Sequence, residues 1–238
     1  MARLLLTRPE ADAAALAEKL RARGHSADIA PLLRIHVLDA ALPKLDGTTA
    51  LLITSANGLR AFAAKTAHRD LTVYAVGEAS ARAARAEGFT DVHAAGGDLH
   101  SLADLVTRLR KPSDGPLLHA AGETLAGDLV GLLCNAGFDA HGIALYKAET
   151  ASSLPPAVAA SLRAGEYRGV LFFSPRTATT FVRLVAESGA GDAVAGTQAF
   201  CLSANVAERI AALPWCGICV AAEPSEAALL AAMDRELA

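Results

Sequence analysis

An internal repeat constrains this 238-residue chain more than any other feature. Segment 51–62, LLITSANGLRAF, matches 171–181, LFFSPRTATTF, because each is an apolar run that breaks at a serine and resumes as a helical pattern. A second pair, 24–32 and 137–145, follows helix-period sequence in both places. The repeat predicts two similar α/β domains with a cleft between them, which is a common location for a small-molecule site.

The order of strand and helix patterns predicts the fold class. Short apolar runs predict strands at 3–7, 26–30, 49–54, 72–76, 91–94, 116–119, 139–145, 168–173, 198–202 and 217–221. Helix-period segments predict helices at 10–23, 57–66, 78–87, 98–110, 124–136, 156–164, 176–187, 205–213 and 225–236. The Pro-marked segment 31–46 is assigned to neither. Because parallel strands need helical crossovers, this alternation favours two flavodoxin-like domains, each a parallel sheet flanked by helices.

Composition excludes several classes of function. With 22 basic and 25 acidic residues the net charge is -3, so the chain lacks the basic field that holds nucleic acid. No apolar run approaches the roughly 18 residues of a membrane span, and the run after Met1 is too short for a signal peptide. We therefore expect a cytoplasmic protein that binds neither nucleic acid nor membrane.

The four cysteines indicate a reduced compartment rather than a disulfide framework. Cys216 and Cys219 have suggestive spacing, but the sequence offers neither a second such pair nor an HxxxH motif to complete a zinc site. Ordinary buried thiols are the simpler interpretation, and we expect no metal site.

Small hydroxyl side chains recur where predicted strands turn into helices. They lie in four corners: Thr7-Arg8-Pro9, Thr54–Asn57, Val76–Ser80 and Phe173–Arg176. In open parallel sheets, ligands bind at the carboxyl ends of the strands, where helix N-termini present free N–H groups. Helix capping explains any single corner, whereas recurrence in both repeats predicts an anion-binding surface that needs no net positive charge.

Motifs for nucleotide binding and for familiar catalytic sets are missing from the sequence. It contains neither GxGxxG after the first strand nor a P-loop, and Gly96, Gly97 and Gly122 stand alone. A GxSxG elbow with a Ser-His-Asp set is also missing, and the seven histidines are scattered. His119 ends a predicted strand, where a packing residue is the simpler interpretation. The corners therefore predict binding without a cofactor or an obvious catalytic dyad.

In their order and spacing, these motifs resemble the uroporphyrinogen-III synthase family nearly from end to end. The resemblance rests on Leu6–Pro9, Thr54–Gly58, Val76–Ala81, Leu145-Tyr146 and Phe172–Arg176. It implies two α/β domains joined by a two-stranded connection, with the active site in the cleft. Domain one would combine 1–36 with 149–238, and domain two would span 37–148. From the repeat alone, a contiguous split near 112 fits equally well.

The resemblance implies a reaction of tetrapyrrole, haem and porphyrin biosynthesis. Hydroxymethylbilane, a linear tetrapyrrole, would be cyclised to uroporphyrinogen III with inversion of ring D and loss of water. Left alone, this substrate closes to the I isomer. Departure of the hydroxyl gives an azafulvene cation, the substituted carbon of ring D attacks it to form a spiro intermediate, and fragmentation and reclosure deliver the inverted ring. Such chemistry needs positioning and exclusion of water rather than a nucleophile or metal.

The same resemblance extends to cofactors, partners and the catalytic residue. It implies a cofactor-free monomer that takes its substrate by transient handover from hydroxymethylbilane synthase. Tyr146 matches the family's tyrosine at the domain connection. Because a phenol with a pKa of about 10 stays protonated at neutral pH, Tyr146 would donate a hydrogen bond to the departing hydroxyl.

Substrate-binding residues follow from the eight carboxylates of the substrate. The corners would supply the partners Thr7, Arg8, Ser55, Ser80, Ser174 and Arg176, with Arg60 and Lys147 as further basic candidates. The family's later corner often carries Gly and Ser or Thr, whereas this chain has Leu202–Val206. In that corner Ser203 and Asn205 are the candidates.

Three other hypotheses stay open on the sequence alone. A non-catalytic two-domain protein that binds a small polycarboxylate would use the same cleft, although such proteins are usually exported. A regulatory module descended from the synthase is less favoured, because Ser55, Ser80, Tyr146 and Ser174 are retained. A nucleotide-dependent enzyme lacks its glycine motifs. Ligand binding without turnover would separate the binding class from the enzyme.

Overall fold

The computed structural model describes residues 1–237, and the chain folds into two compact units. Unit 1 combines Met1–Arg34 with Glu149–Ala238, and unit 2 is Ile35–Ala148. The strands are β1 (Arg3–Leu6), β2 (Ser26–Ile29), β3 (Leu33–Val37), β4 (Ala50–Ile53), β5 (Thr72–Ala75), β6 (Val92–Ala94), β7 (Leu117–Gly122), β8 (Ala140–Thr150), β9 (Gly169–Phe172), β10 (Gln198–Cys201) and β11 (Gly217–Val220). The helices are α1 (Glu10–Ala22), α2 (Ala56–Ala63), α3 (Glu78–Ala86), α4 (Leu99–Leu109), α5 (Leu129–Asn135), α6 (Pro156–Arg163), α7 (Pro175–Glu187), α8 (Ala204–Ile210) and α9 (Glu226–Glu236).

Unit 1 is built on a five-stranded sheet with the order β11-β10-β9-β1-β2, and its strands are parallel. Numbered within the unit, this order is 2-1-3-4-5, as in flavodoxin-like folds. Successive residues of β1 point to opposite faces. Leu4 and Leu6 pack with α1 and α9, whereas Leu5 packs with α6, α7 and α8. Both faces of the sheet are therefore covered by helices.

Unit 2 contains a six-stranded sheet with the order β3-β8-β7-β4-β5-β6. The strands from β4 to β8 are parallel, and their order corresponds to 3-2-1-4-5, which begins a Rossmann-type sheet. Leu51 and Ile53 of β4 pack with α2 and α3, and Ala50 and Leu52 pack with α4 and α5. The two units thus share an architecture but differ in strand order.

Helix α7 shows how the sequence sets the local structure. Ser174 caps the helix and Pro175 occupies its first position, where proline lacks only an N–H that would be unpaired anyway. Apolar residues at helical spacing, including Phe181, face the sheet. The Phe181 ring lies 5.2 Å from Phe172 and 5.8 Å from Trp215, measured between centroids. Burial of this ring stabilises the unit by about 2 kcal/mol.

The predicted fold class of parallel sheets flanked by helices is confirmed. Three segments differ from the predicted elements. The Pro-marked segment contains β3, which pairs with β8, and β8 continues to Thr150 rather than ending at 145. The helix predicted at 124–136 begins at Leu129, because the Asp128 side chain accepts the Gly131 N–H and caps it there.

Candidate functional site

Unit 2 carries a polar site at the carboxyl edge of its sheet. The strand order reverses between β4 and β7, because β4 is followed by a crossover to β5 on one side and β7 by a crossover to β8 on the other. Ligands of open parallel sheets bind outside the carboxyl ends of strands at such a switch point. Thr54 and Ser55 follow β4 at this position, and Gly122 ends β7.

Two cavities at this edge share part of their walls. The smaller cavity has a volume of about 110 Å³, and Thr54, Ser55, His119, Gly122 and Tyr146 contribute to its lining. The larger cavity has a volume of about 690 Å³ and also includes Thr54. Every residue that lines either cavity belongs to unit 2.

A β-bulge brings Tyr146 to the end of β7. The pairing of β7 with β8 skips Leu145, so that Tyr146 lies opposite Gly122. A Cβ atom at Gly122 would lie 2.8 Å from Tyr146 Cζ and 3.1 Å from its hydroxyl oxygen. A Cβ atom at Gly58 would lie 3.6 Å from Tyr146 Cε1 and 2.3 Å from the Ala120 carbonyl oxygen. The position of the phenol in the smaller cavity therefore requires the absence of a side chain at Gly122.

His119 lies in the wall of the same cavity, beside Thr54. The residue is 3% exposed, and its Nε2 atom lies 3.0 Å from the Thr54 hydroxyl oxygen. Burial lowers the pKa of His119 to about 4, because the charged imidazolium loses its hydration, so the ring is neutral at neutral pH. His119 is thus a buried residue, as the packing interpretation requires, and it also contacts a hydroxyl that lines both cavities.

Ser55 and Ser80, which were predicted at equivalent corners, have different surroundings. Ser55 is the N-cap of α2, and its hydroxyl oxygen accepts the Asn57 N–H at 3.1 Å. Ser80 is the third residue of α3, whose N-cap is Gly77, and it lies on the buried side of that helix with 6% exposure. The structure therefore places Ser55 at the wall of the smaller cavity and Ser80 in the packed face of its helix.

Arg60 and Lys147 are the basic candidates of unit 2. Arg60 lies in α2, where its Nη1 atom donates to Asn57 Oδ1 at 3.4 Å. Lys147 follows Tyr146 in β8 and is partly buried. Neither side chain is part of the wall of the two cavities described above.

In unit 1, Thr7 and Arg8 make contacts within the protein. The Thr7 hydroxyl, 1% exposed, donates to the Leu171 carbonyl oxygen at 3.0 Å, which links β1 to β9. Arg8 donates through Nη1 to Glu226 at 2.8 Å, and its guanidinium lies 4.2 Å from the centre of the Phe173 ring. Desolvation raises the pKa of Glu226, but hydrogen bonds and charges of Lys19 and Arg8 outweigh it and lower the pKa.

Ser174 and Arg176 lie at the start of α7, just after β9. The Ser174 hydroxyl oxygen accepts the Thr177 N–H at 3.2 Å and lies 2.9 Å from the Thr177 hydroxyl. Arg176 is exposed and lines a groove of about 380 Å³ together with Arg183 and Arg209. Three guanidinium groups make this groove positively charged, but Arg183 already donates to both carboxylate oxygens of Glu187 and to the Ala151 carbonyl oxygen. Arg183 and Arg209 belong to no sequence motif, because the groove forms only where α7, α8 and the end of β8 come together.

Ser203 and Asn205 occupy the later corner, after β10. Ser203 is at the N-cap position of α8, but within residues 1–237 its side chain makes no capping hydrogen bond. Asn205 is the second residue of α8 and is exposed to solvent. Val206, which follows it, is buried in the core of unit 1. Ser203 is therefore partly exposed and Asn205 exposed at this end of the sheet.

The larger cavity has acidic residues that the sequence analysis missed. Asp98 and Asp128, the N-caps of α4 and α5, both line it. The Asp98 carboxylate accepts the Ser101 N–H, which holds its pKa below the usual value. The spacing of Asp98 and Ser101 is that of a capping box and could have predicted this helix start. An acidic wall makes this cavity a poor binding site for carboxylates.

Residues 1–237 contain neither a metal-binding cluster nor a helix that could span a membrane. Across the part of the chain that the structure describes, no group of three or more His, Cys, Asp or Glu side chains is placed to hold a metal ion. Among those same residues, every helix falls short of the length and apolar character that a bilayer crossing requires.

Comparisons with known proteins agree with this fold. The family model described as uroporphyrinogen-III synthase HemD matches residues 14–231. A crystal structure of uroporphyrinogen-III synthetase from Helicobacter pylori superposes with a TM-score of 0.63 at 15% identity, and the match covers 100% of both chains. A mutant uroporphyrinogen III synthase from Thermus thermophilus gives a TM-score of 0.53 at 17% identity, with 100% of this chain and 99% of that chain covered. Comparison with curated protein sequences gives no match.

Proposed function

Because this chain belongs to the uroporphyrinogen-III synthase family, we propose that it cyclises hydroxymethylbilane to uroporphyrinogen III by holding the substrate in one bent geometry. The family consists of cyclising hydro-lyases that act on a tetrapyrrole in haem and porphyrin biosynthesis. The observation that supports our mechanism is the fixed phenol of Tyr146, which lines a small cavity with hydroxyl groups from Thr54, Ser55 and Thr124.

Tyr146 assists the first step. The C–O bond of the hydroxymethyl group breaks, the pyrrole nitrogen lone pair forms the azafulvene, and the hydroxyl leaves as water with one added proton. The Tyr146 hydroxyl donates a hydrogen bond to the departing oxygen. The cation is then attacked by the substituted carbon of ring D, and fragmentation and reclosure release one ring proton. The proton released from the ring equals the proton added to the leaving hydroxyl, so the net loss is one water.

The carboxylates of the substrate contact helix N-termini and polar side chains in both units. In unit 2 these contacts come from Ser55 and the first N–H groups of α2. Ser80, whose side chain is buried, contributes only through the N-terminal turn of α3, of which it is the third residue. In unit 1 they come from Ser174, Arg176, Ser203 and Asn205. Thr7 and Arg8 contribute by fixing the end of β1, since their polar atoms contact Leu171 and Glu226. Nothing in this chemistry calls for a cofactor.

The same proposal covers organisation and setting. We assign 1–36 with 149–238 to the first domain and 37–148 to the second. We also propose a cytoplasmic monomer that receives hydroxymethylbilane by transient handover from hydroxymethylbilane synthase. Size-exclusion chromatography with light scattering tests the monomer, and a dimer would contradict it.

The product isomer tests the proposed function. Freshly generated hydroxymethylbilane is incubated with the purified protein, the products are oxidised, and the I and III isomers are separated against a control without enzyme. Predominant III isomer is expected. Formation of the I isomer at the control rate would refute the function and leave a polycarboxylate-binding protein as the better account.

Replacement of Tyr146 tests the mechanism. We expect Tyr146→Phe to lower kcat about 100-fold without abolishing turnover, because substrate positioning persists when the hydrogen-bond donor is lost. Tyr167→Phe is the matched control. It removes a phenol hydroxyl that donates to Asp28 at 2.6 Å. Tyr167 precedes β9 and so lies at the amino edge of the unit 1 sheet, away from the carboxyl edge where ligands bind, so kcat should not change. A complete loss in Tyr146→Phe, or an equal loss in both variants, would contradict the role of Tyr146.

A further inference from the structure

His119 is a buried titratable residue that the proposed mechanism does not use. It lies in β7 between Leu52 of β4 and Gly142 of β8, and its side chain reaches the cavity that Tyr146 also lines. Within residues 1–237, its one polar side-chain contact is the 3.0 Å hydrogen bond between Nε2 and the Thr54 hydroxyl. A polar ring placed among apolar neighbours at the wall of a cavity calls for an explanation beyond packing.

The tautomer of His119 decides what Thr54 can offer to a ligand. A neutral imidazole carries one N–H and one bare nitrogen. If Nε2 is bare, it accepts the Thr54 hydroxyl proton, and Thr54 presents only oxygen lone pairs to the cavity. If Nε2 carries the proton, it donates to the Thr54 oxygen, and the hydroxyl proton of Thr54 is free to point into the cavity. Only the second arrangement suits an anionic ligand.

We propose that His119 is a positioning residue whose Nε2–H holds the Thr54 hydroxyl as a hydrogen-bond donor to a carboxylate of the substrate. This inference rests on the proposed function, because a polycarboxylate is the ligand that selects this tautomer. The burial and neutrality of the ring support it: a neutral His119 orders the hydroxyl without adding a positive charge near the azafulvene cation. Ser55, the next residue in the chain, lines the same cavity and presents a second hydroxyl.

Two amide variants of His119 provide the sharpest test. Glutamine places its amide nitrogen the same number of bonds from Cβ as Nε2, whereas asparagine places its amide nitrogen where Nδ1 lies. His119→Gln should therefore keep kcat/KM within about threefold of wild type, whereas His119→Asn should raise KM about tenfold with little change in kcat, as for loss of one hydrogen bond to a charged group. Similar KM values for the two variants at similar melting temperatures would overturn the proposal.

Replacements of Thr54 test whether His119 acts through the Thr54 hydroxyl. Thr54→Ser keeps the hydroxyl and should behave as wild type, whereas Thr54→Val should raise KM about as much as His119→Asn. The double variant His119→Asn with Thr54→Val should be no worse than Thr54→Val alone, because both changes act through one hydroxyl. Additive losses of about 100-fold in the double variant would show that His119 does not act through Thr54.

A measurement on wild-type protein keeps the test independent of variant folding. Long-range ¹H–¹⁵N NMR distinguishes the two neutral tautomers of His119, and we expect the proton on Nε2 in the complex with uroporphyrinogen III. A proton on Nδ1 would overturn the proposal. Failure of the proposed function is distinguishable, because wild type would then form no III isomer. The proposal fails alone when wild type forms the III isomer but the glutamine and asparagine variants do not differ.

Discussion

The carboxyl edges of the two sheets carry the same kinds of polar residue but use them differently. In unit 1, Thr7 and Arg8 are held by Leu171 and Glu226, so their polar atoms serve the protein itself. In unit 2, Thr54 and Ser55 line cavities. A repeated sequence pattern therefore predicts a repeated strand-to-helix corner, but it does not predict repeated chemistry at that corner.

Strand order accounts for part of this difference. The switch point of unit 1 lies between β1 and β9, whose edge is closed by the Thr7 hydroxyl bond to Leu171. The switch point of unit 2 lies between β4 and β7, where Gly122 and the nearby Gly58 keep side chains away from Tyr146. The comparison can be tested residue by residue.

The largest effect is expected at Gly58. Alanine normally stabilises a helix interior by about 1 kcal/mol relative to glycine. At Gly58 we expect the reverse sign, a loss of about 3 kcal/mol of unfolding free energy, because the new Cβ would meet the backbone oxygen of Ala120 at 2.3 Å. Gly196→Ala in unit 1 is the control, since a Cβ there has no neighbour within 4 Å among the described residues. Urea denaturation measures the unfolding free energy of both variants. Equal losses in the two variants would contradict the close approach of α2 to β7.

The next effect is a pH dependence that belongs to unit 2. The pKa of His119 is about 4 in the folded protein and 6.5 when unfolded, so below pH 6.5 protons bind preferentially to the unfolded chain. Stability should fall by about 2 kcal/mol between pH 7 and pH 5 and level off below pH 4. Urea denaturation at both pH values should show this loss in wild type but not in His119→Gln. If the unfolding free energy of His119→Gln fell as much between pH 7 and pH 5 as that of wild type, the loss could not be assigned to His119.

Glu226 gives unit 1 a different pH window. Its pKa is lowered on folding, so the stability it contributes is present above the ordinary glutamate range and is lost as the pH falls below about 4.5. The two units should therefore respond to acid in sequence, with the His119 effect first.

The smallest effect distinguishes helix caps that look alike in sequence. Ser174→Ala should lower the unfolding free energy by about 1 kcal/mol, because the Ser174 side chain accepts the Thr177 N–H. Ser203→Ala should change it by less than about 0.5 kcal/mol, since Ser203 makes no such bond within the described residues. Thermal or urea unfolding of the two variants measures the difference. An equally large loss in Ser203→Ala would mean that its capping bond forms in solution.

The sequence predicted those features that depend on local pattern. The alternation of strands and helices followed from periodicity, and the N-cap positions of Ser55 and Ser174 followed from hydroxyl residues placed directly before helices. The helix start at Leu129 was missed because Asp128, a capping residue, follows a polar stretch that fits a helix equally well. Local pattern thus fixed the type of each element better than its boundaries.

Features that depend on distant residues could not be predicted. The bulge that sets Tyr146 opposite Gly122 depends on the register of two strands, and the contact between His119 and Thr54 joins residues 65 apart in sequence. Gly122 belongs to no glycine motif in the sequence, because the side chain that requires a glycine there is the Tyr146 ring on the neighbouring strand. Such contacts are set by tertiary packing, which periodicity does not encode.

The insertion of unit 2 within unit 1 also orders events during protein synthesis. β1 pairs with β9, in the register Leu4 to Gly169, so the sheet of unit 1 cannot close until the ribosome has translated all of Ile35–Ala148. Domains generally fold as units during synthesis. Unit 2 is complete while 90 of the 124 residues of unit 1 are still untranslated, and the nascent segment β1-α1-β2 must wait with its apolar faces uncovered. Codon usage and chaperone access in this interval should therefore affect the folding of unit 1 more than the folding of unit 2.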